Sequence, residues 1–283
     1  MGWGSAVGAR VGSPRQARLL CELAAGRRAV GPAAVDRGPG DLQPPALRRV
    51  LSGMGLADPV SVECRPDRGR AVDPDVDRCA IVDNTGTAIG EEYTLAAAVK
   101  FILSKKLGEV VVNMSTSRAS EDIARYYNCP FTRTKVGEIN VAEVMAKNEA
   151  VIGGEGNGGV ILPELHLGRD APAAIALTIQ QLLEFGGTMH ELFKSLPQYK
   201  IVKQKINIEG KNPDKLLNLM AEKHQDKQIN FLDGLKIDTK ETWVHLRKSN
   251  TEPIIRVMAE APTENEAKML ADRYHEELNG LEG

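Results

Sequence analysis

The stretch 152–160 most constrains how this chain can fold, because five glycines there surround a single carboxylate and a single amide. Glycine is favoured where the backbone takes a positive φ or must let another group approach closely. The stretch follows a short apolar run. It therefore predicts a loop at the end of a strand, bare of side chains except for Glu155 and Asn157, which we interpret as its working groups.

The glycine spacing also fits the dinucleotide fingerprint G-x-G-x-x-G, through Gly154, Gly156 and Gly159. That fingerprint needs a helix that begins at the loop and points its N-terminus at a pyrophosphate. The residues that follow, 160–162, are strand-like and end at a proline, and Glu155 would repel an anion. A carboxylate beside an amide suits a neutral, hydroxyl-rich ligand such as a sugar ring. A glycine-rich hairpin without a ligand is the alternative.

Composition excludes several classes of protein. The 283 residues are 42% hydrophobic and 26% charged, which is typical of two or three globular domains. A net charge of -2 gives no support for nucleic-acid binding. No apolar run approaches the ~20 residues that span a bilayer, so no membrane partner is expected. The four cysteines are scattered without C-x-x-C spacing, which indicates neither a zinc site nor disulfides and fits the reducing cytoplasm.

The chain divides into parts of different character, since lysine is absent before Lys100 and common after it. Residues 1–34 are rich in arginine and poor in acids, which predicts a disordered leader, with a transit peptide as the alternative. Residues 35–86 predict a shortened α/β domain. Strands alternate with helices over 87–194, which predicts an α/β domain with a parallel or mixed sheet. Residues 195–283 predict a separate α+β domain.

Three signals fix predicted helix ends. The run 115–117 is expected to cap a helix that continues to Tyr127. Asp170 is a predicted N-cap, and Gly186 with its glycine neighbour is predicted to end the same helix. The sequence from Thr263 to Glu266 is a capping box that opens the C-terminal helix.

Three aspartates, Asp73, Asp75 and Asp77, alternate in a loop that a proline stiffens. Carboxylates at this density repel each other unless a cation lies between them, and oxygen ligands select a hard ion such as Mg²⁺. An EF-hand is excluded because the sixth position is Arg78 and the twelfth is Asn84. A solvated acidic turn is the alternative. Arg78 would add a fixed cation beside a metal, which suits a bridging phosphate.

A second cationic stretch lies near the C-terminus, where a predicted strand delivers Arg247 into the sequence RKSNTEP and Arg256 follows on the next strand. Guanidinium groups combined with hydroxyls and backbone amides are typical of a phosphate clamp. A turn with incidental cations is the alternative. Lys135, in a predicted loop just before a glycine, would by itself be read as a solvated surface lysine.

In this order the three motifs resemble those of the α-D-phosphohexomutases, the superfamily of phosphoglucomutase, phosphomannomutase and phosphoglucosamine mutase. The resemblance runs from Asp73 to the C-terminus. It implies four domains around one cleft, with Mg²⁺ held in domain two, the sugar read in domain three and a phosphate clamped in domain four. The strings DPDVDR and GEGNGGVILPELHLGRDA look more like archaeal and Bacteroidetes-type phosphoglucosamine mutases. Glucosamine phosphate is therefore the expected substrate.

The resemblance also implies a role for each candidate residue. The metal ligands would be Asp73, Asp75 and Asp77; the sugar hydroxyls would contact Glu155 and Asn157; the non-reacting phosphate would contact Arg247, Ser249, Asn250 and Thr251; and Arg78 and Lys135 would lie near the transferred phosphoryl group or the reacting hydroxyl. Arg256 is grouped with the substrate-binding residues.

The implied activity is that of an isomerase working as an intramolecular phosphotransferase. A phosphoserine phosphorylates a hexose 1- or 6-phosphate, the hexose 1,6-bisphosphate reorients, and the other phosphate returns to the serine. The family's serine lies in a T-A-S-H-N-P-type motif of the first domain, and that motif does not occur in these residues. We therefore expect the chain alone to bind sugar phosphate weakly and to turn over little. The alternatives are a non-catalytic sugar-phosphate binding protein and a fragment complemented by a separate chain that carries the phosphoserine domain.

Overall fold

The fold was analysed in a computed structural model that describes residues 61–65, 68–249 and 251–281. The predicted leader, 1–34, and the first part of the predicted shortened domain, 35–60, lie outside the described residues. Within the described part of the chain, no helix is both long enough and apolar enough to cross a membrane.

The first described sheet is small and antiparallel. Its strands, in the order β1-β2-β3, are β1 (Ser61–Arg65), β2 (Arg68–Val72) and β3 (Cys79–Val82). β1 and β2 pair as a hairpin in which Ser61 faces Val72. That residues 35–86 form a shortened α/β domain stays a prediction. All four residues of β3 are buried.

The central domain is a mixed α/β layer, as predicted. Its sheet has the order β5-β4-β6-β7 and consists of β4 (Val110–Asn113), β5 (Phe131–Thr134), β6 (Ile152–Glu155) and β7 (Gly159–Ile161). β5, β4 and β6 are parallel, and β7 returns antiparallel to β6. Its helices are α1 (Glu91–Lys105), α2 (Arg118–Tyr126), α3 (Glu138–Asn148), α4 (Ala171–Phe185) and α5 (Met189–Lys194).

The predicted helix ends of this domain are confirmed. Ser117 caps α2, because its hydroxyl accepts a hydrogen bond from the Ala119 amide at 3.1 Å. Asp170 caps α4 through the Ala173 amide at 2.7 Å. Gly186 ends α4 in the left-handed region, at φ 70°, where a side chain would be strained.

The C-terminal domain is α+β, as predicted. Its antiparallel sheet has the order β8-β12-β11-β10-β9 and consists of β8 (Lys200–Asn207), β9 (Gln228–Asn230), β10 (Leu235–Asp238), β11 (Trp243–Lys248) and β12 (Ile254–Ala261). Two helices, α6 (Pro213–Lys223) and α7 (Glu264–Asn279), share a hydrophobic core with the sheet. The predicted capping box of Thr263 and Glu266 is present at the start of α7.

The central and C-terminal domains are joined at the N-terminus of α2. The carboxylate of Glu260, on β12, accepts hydrogen bonds from the Arg118 amide at 3.0 and 3.2 Å. An anion is stabilised at this end of a helix. The Arg118 guanidinium in turn donates to the carbonyls of Thr239, Lys240 and Thr242. These bonds fix how the two domains face each other, and a cleft lies between them.

Candidate functional site

The cleft between the central and C-terminal domains has a volume of about 390 Å³. The central domain lines it with Glu92, Asn113, Ser115, Glu155, Asn157 and Arg169 among others. The C-terminal sheet contributes Lys203, His245, Arg247, Arg256 and Met258. The structure therefore brings the predicted sugar-reading residues and the two predicted phosphate-binding arginines to one pocket.

Glu155 lies at the end of β6 and is only 3% exposed. One carboxylate oxygen accepts from the Asn113 side chain at 2.7 Å and from the Gly137 amide at 2.8 Å. The other accepts from the guanidinium of Arg169 at 2.6 Å and more weakly from the Asn157 side chain at 3.4 Å. Since buried carboxylates are stable only when they are paired and hydrogen-bonded, these contacts fix the Glu155 side chain in one position.

Two of the glycines around Glu155 make room for other parts of the protein. The glycines of this stretch belong to β6, β7 and the turn between them, so this is a hairpin. Gly158 has φ 90° and meets the backbone of Cys79, whose amide donates to the Gly158 carbonyl at 3.0 Å. A methyl group at Gly156 would overlap the carboxylate of Glu92. At these two positions glycine lets other parts of the protein approach, and the aspartate loop that precedes Cys79 is thereby attached beside the hairpin.

Arg169 links the hairpin to the predicted metal loop. Its guanidinium donates to Glu155 at 2.6 Å and to Asp77 at 2.5 Å, and its Nε lies 3.4 Å from Glu138. The side chain is 18% exposed. Arg169 immediately precedes the helix N-cap Asp170, and no local motif marks it as functional. Its role as a bridge depends on tertiary structure, which no local pattern predicts.

The aspartate loop is organised by its own members. Asp73 is fully buried and accepts from the amides of Asp77 and Arg78, both at 3.1 Å, and from the Arg78 side chain at 2.6 Å. Burial opposes ionisation of Asp73, but its contact with Asp77 and its bonds from Arg78 outweigh burial and lower its pKa. Burial and the contact with Asp73 raise the pKa of Asp77. Asp75 is exposed.

Two of the three predicted metal ligands, Asp73 and Asp77, are placed where they could bind a hard cation together. The carboxyls of Asp73 and Asp77 interact directly, and Oδ1 of Asp77 is buried without a hydrogen-bond partner in the described structure, although it lies 3.5 Å from Nε of Arg78. An oxygen in that state is suited to a divalent ion. Among the described residues, however, no three carboxylate, histidine or cysteine side chains are gathered as a metal cluster. Magnesium binding by the three aspartates stays a prediction.

Only part of the predicted phosphate clamp lines the cleft. Arg247 lines the cleft, and its Nε lies 3.2 Å from Asp233. Ser249 and Thr251 lie in the turn beyond β11, where the Thr251 amide approaches the Ser249 hydroxyl at 3.4 Å, and neither lines the cleft. Asn250 lies outside the described residues. The structure therefore places Arg247 at the pocket but does not bring the hydroxyls of Ser249 and Thr251 to its lining.

Arg256 faces the cleft directly beside Arg247, because the two residues are register partners on β12 and β11. Like charges in opposite positions of a sheet destabilise it. Arg256 is exposed. Two neighbouring guanidinium groups at the mouth of a pocket are stabilised by an anion between them, which is the property a phosphate site needs.

The two residues that were expected near the transferred phosphoryl group lie outside the cleft. Lys135 is exposed in the loop between β5 and α3. Its neighbour Val136 lines the cleft and donates from its amide to Asp233 at 2.8 Å. Arg78 is tied to Asp73 in the aspartate loop. The roles of Lys135 and Arg78 stay predictions.

Ser115 and His245 line the cleft and join the two domains. The sequence did not suggest a role for either residue. The Ser115 hydroxyl lies 2.9 Å from Nδ1 of His245, and Nε2 of the same ring lies 2.5 Å from the Asp233 carbonyl. Because that carbonyl only accepts, Nε2 carries the proton and Nδ1 accepts from Ser115. Burial lowers the pKa of His245, which keeps the ring neutral. Strand alternation places His245 on the same face of the sheet as Arg247. This alternation is the sequence signal from which His245 could have been predicted to face the cleft.

Glu92 is a third cleft residue that sequence reasoning did not identify. It lies in the first turn of α1, where an acidic residue is ordinary, and Oε2 accepts from the Ser117 amide at 2.8 Å. Burial raises the pKa of Glu92 to about 8, against the opposing effects of the Ser117 bond and of Lys203. The pocket therefore contains a carboxyl that holds its proton at neutral pH.

Comparison with known families agrees with this geometry. Residues 90–199 match the family model described as phosphoglucomutase/phosphomannomutase, alpha/beta/alpha domain III. Residues 206–277 match the one described as phosphoglucomutase/phosphomannomutase, C-terminal domain. Together the two matches cover more than half of the chain. The protein belongs to the phosphohexomutase superfamily, of which it contains the C-terminal part.

Curated relatives and solved structures support the assignment. The chain is 37% identical over 205 residues to the phosphoglucomutase/phosphomannomutase of Thermococcus kodakarensis, covering 71% of this chain and 45% of the relative. It is 33% identical over 222 residues to the phosphoglucosamine/phosphogalactosamine mutase of Sulfurisphaera tokodaii, covering 76% and 48%. The fold is similar to that of Aspergillus fumigatus N-acetylphosphoglucosamine mutase, solved in complex with GlcNAc-6P and magnesium, with a TM-score of 0.59, 17% identity and coverage of 81% and 51%. The chain spans about half the length of the curated relatives it matches.

Proposed function

We propose that this chain binds a hexose phosphate in the cleft between its central and C-terminal domains and serves the interconversion of hexose 6-phosphate and hexose 1-phosphate. The observation that carries the proposal is the shared pocket. Glu155 and Asn157 lie on one side of it and Arg247 and Arg256 on the other. A carboxylate and an amide opposite two guanidinium groups suit a ligand with hydroxyls at one end and a phosphate at the other.

The phosphate end would be held by Arg247 and Arg256. Arg247 is aimed by Asp233, which also binds the Val136 amide and so connects the arginine to the central domain. An arriving phosphate relieves the repulsion between the two guanidinium groups, and charge-assisted bonds of this kind are about twice as strong as neutral ones. The hydroxyls of Ser249 and Thr251 and the residue Asn250 are proposed to complete this site at its rim.

The sugar end would be read by Glu155 and Asn157. The Glu155 carboxylate is already held by three donors, Asn113, Gly137 and Arg169, so it is preorganised to accept further bonds from sugar hydroxyls. Asn157 is fixed by the hairpin, where its side-chain oxygen accepts from the Gly159 amide at 3.2 Å and leaves the amide group directed to Glu155. Rigid positioning favours one orientation of the ring.

The proposed cofactor is Mg²⁺, held by Asp73, Asp75 and Asp77. When bound, it would neutralise charge on the phosphoryl group that moves. Arg78 holds Asp73, and Arg169 connects Asp77 to Glu155, so the chain's own cations orient the carboxylates towards the sugar site. The complex of GlcNAc-6P and magnesium with the Aspergillus protein supports the same pairing of ligands.

Glucosamine phosphate is the proposed substrate, and the names of the Sulfurisphaera relative and the motif strings support it. The exchange of phosphate also needs a phosphoserine, and the family's serine motif does not occur in these residues. We therefore expect binding without efficient turnover by this chain alone. A binding protein without catalysis, or a site completed by a phosphoserine domain on a separate chain, are the alternative proposals.

The binding proposal is tested by isothermal titration calorimetry with glucose 6-phosphate. The Arg247→Gln variant should bind at least about ten-fold more weakly, because a charge-assisted bond is lost. Lys248→Gln is the matched control, since Lys248 is the next residue on β11 but pairs with Asp214 at 2.7 Å and does not line the cleft. Equal binding by the two variants, or no binding by the unaltered chain, would refute the proposed phosphate site.

A second experiment separates the enzyme from the binding protein. The chain is incubated with hexose 1,6-bisphosphate carrying labelled phosphate, alone and with a phosphoserine domain supplied separately. Mutase turnover only when the domain is added supports complementation. Ordinary mutase activity by the chain alone would contradict the expectation of little turnover.

A further inference from the structure

The cleft contains one carboxyl that the proposed binding of a neutral sugar leaves without a role. Glu138 and Glu155 both pair with Arg169, at 3.4 and 2.6 Å. Among the described residues that line the cleft, Glu92 is the carboxyl without an ion-pair partner. The nearby Lys203 is directed at Glu91, with 4.0 Å between Nζ and Oε2. A cation brought by a ligand would therefore find Glu92 available.

The position of Glu92 relative to the sugar-reading residues is set by the hairpin. Its carboxylate lies against Gly156, the residue between Glu155 and Asn157, where any side chain would overlap it. A ring whose hydroxyls reach Glu155 and Asn157 consequently presents a neighbouring substituent to Glu92. Arg247 and Arg256, which are proposed to bind the phosphate, line the same cleft.

We propose that Glu92 binds the ammonium group of an amino-sugar phosphate in this cleft and so selects it over the corresponding neutral-sugar phosphate. The inference rests on the proposed hexose-phosphate site and adds to it the residue that recognises the amine. An ammonium group offers three donors to a carboxylate, and a hydroxyl in the same place gives only a neutral bond.

The protonation state of Glu92 makes the selection measurable. The charged and titratable groups that face it are Lys203, Glu260 and Glu91. Burial raises its pKa to about 8, so the free chain holds this carboxyl neutral at pH 7. Pairing with an ammonium group requires the ionised form. Binding of the amino sugar should therefore release close to one proton more than binding of the neutral sugar does.

A purely structural role for Glu92 gives a different expectation. Its Oε2 accepts from the Ser117 amide, and this bond supports the start of α2. The Glu92→Gln variant keeps an oxygen for that bond but cannot ionise when an ammonium group binds. If Glu92 acts structurally, the variant should weaken binding of both sugars equally or of neither.

The experiment is isothermal titration calorimetry of the full chain with glucosamine 6-phosphate and with glucose 6-phosphate, at about pH 7 in two buffers of different ionisation enthalpy. The unaltered chain should prefer glucosamine 6-phosphate by at least about ten-fold and release the additional proton. Glu92→Gln should bind glucose 6-phosphate unchanged and lose both the preference and the proton release. Glu143→Gln is the control, because Glu143 is exposed on α3 and does not line the cleft, and this variant should retain both.

The outcomes separate the two levels of inference. A preference that persists in Glu92→Gln, or binding of both sugars without preference or additional proton release in the unaltered chain, overturns the role of Glu92 and leaves the phosphate site standing. Absence of binding by either sugar overturns the proposed function and the role of Glu92 with it. The proton count on the unaltered chain tests the assignment even if the variant does not fold.

Discussion

Replacement of Arg169 by glutamine would remove the guanidinium that pairs with both Glu155 and Asp77. Glu155 is 3% exposed, so its carboxylate would be left largely desolvated and without its cation. Breaking a buried ion pair in this way costs about 3–5 kcal/mol. Because the Arg169 side chain keeps 18% of its exposure, water reaches the site and the lower end of that range applies.

A loss of about 3 kcal/mol lowers the melting temperature of a domain of this size by roughly 6–12 °C. The assay is thermal unfolding followed by circular dichroism. The matched control is Arg125→Gln, since Arg125 is 69% exposed and pairs with Asp122 at 3.0 Å on the surface of α2. Surface pairs contribute about 0.2–1 kcal/mol, so this variant should melt within about 3 °C of the unaltered chain.

The double variant Glu155→Gln/Arg169→Gln adds a test of the pairing itself. Once the carboxylate is neutral, the loss of Arg169 should cost about 1.5 kcal/mol less than it does alone. The reasoning is refuted if Arg169→Gln melts within about 2 °C of Arg125→Gln, or if the two substitutions in the double variant are simply additive.

Three further predictions follow from other parts of the structure. Gly158→Ala should destabilise the chain by about 2 kcal/mol more than Gly210→Ala, as measured by chemical denaturation, because both glycines have positive φ but only Gly158 abuts the Cys79 backbone. Equal losses of stability in the two variants would contradict this. The folded chain keeps the Glu92 proton up to about pH 8 and the unfolded chain releases it near 4.5, so stability falls as pH rises between these values. Glu92→Gln should therefore melt roughly 10 °C above the unaltered chain at pH 8 and converge with it near pH 4.5, and parallel melting curves would count against it. Magnesium should raise the melting temperature of the unaltered chain by about 2 °C and that of Asp77→Asn by none, and an equal rise in both would argue against the aspartate site.

Much of the fold was predictable because its signals are local. Asp170 and the pair Thr263 and Glu266 satisfy helix N-termini through residues that are three apart in sequence, and the structure confirms both caps. β5 was not predicted, because only Thr134 of its four residues is buried and no apolar run marks it. The strand is held by parallel pairing with β4, which local sequence does not reveal.

In the candidate site, too, the sequence identified only the residues that belong to a local motif. The motifs identified Glu155, Asn157 and Arg247, and the structure brings these three residues to one cleft. Glu92 and Arg169 were not identified, because each is defined by a partner far along the chain or by burial. The glycine-rich stretch was read as a loop cleared for a ligand, although Gly156 and Gly158 make room for Glu92 and Cys79.

The most direct test of the shared pocket is a crystal structure of the chain with glucosamine 6-phosphate. We expect the phosphate within hydrogen-bonding distance of Arg247 and Arg256, ring hydroxyls on Glu155 and Asn157, and the amine beside Glu92. A phosphate bound away from Arg247, or a sugar that does not reach Glu155, would contradict the proposal that one cleft reads both ends of the ligand.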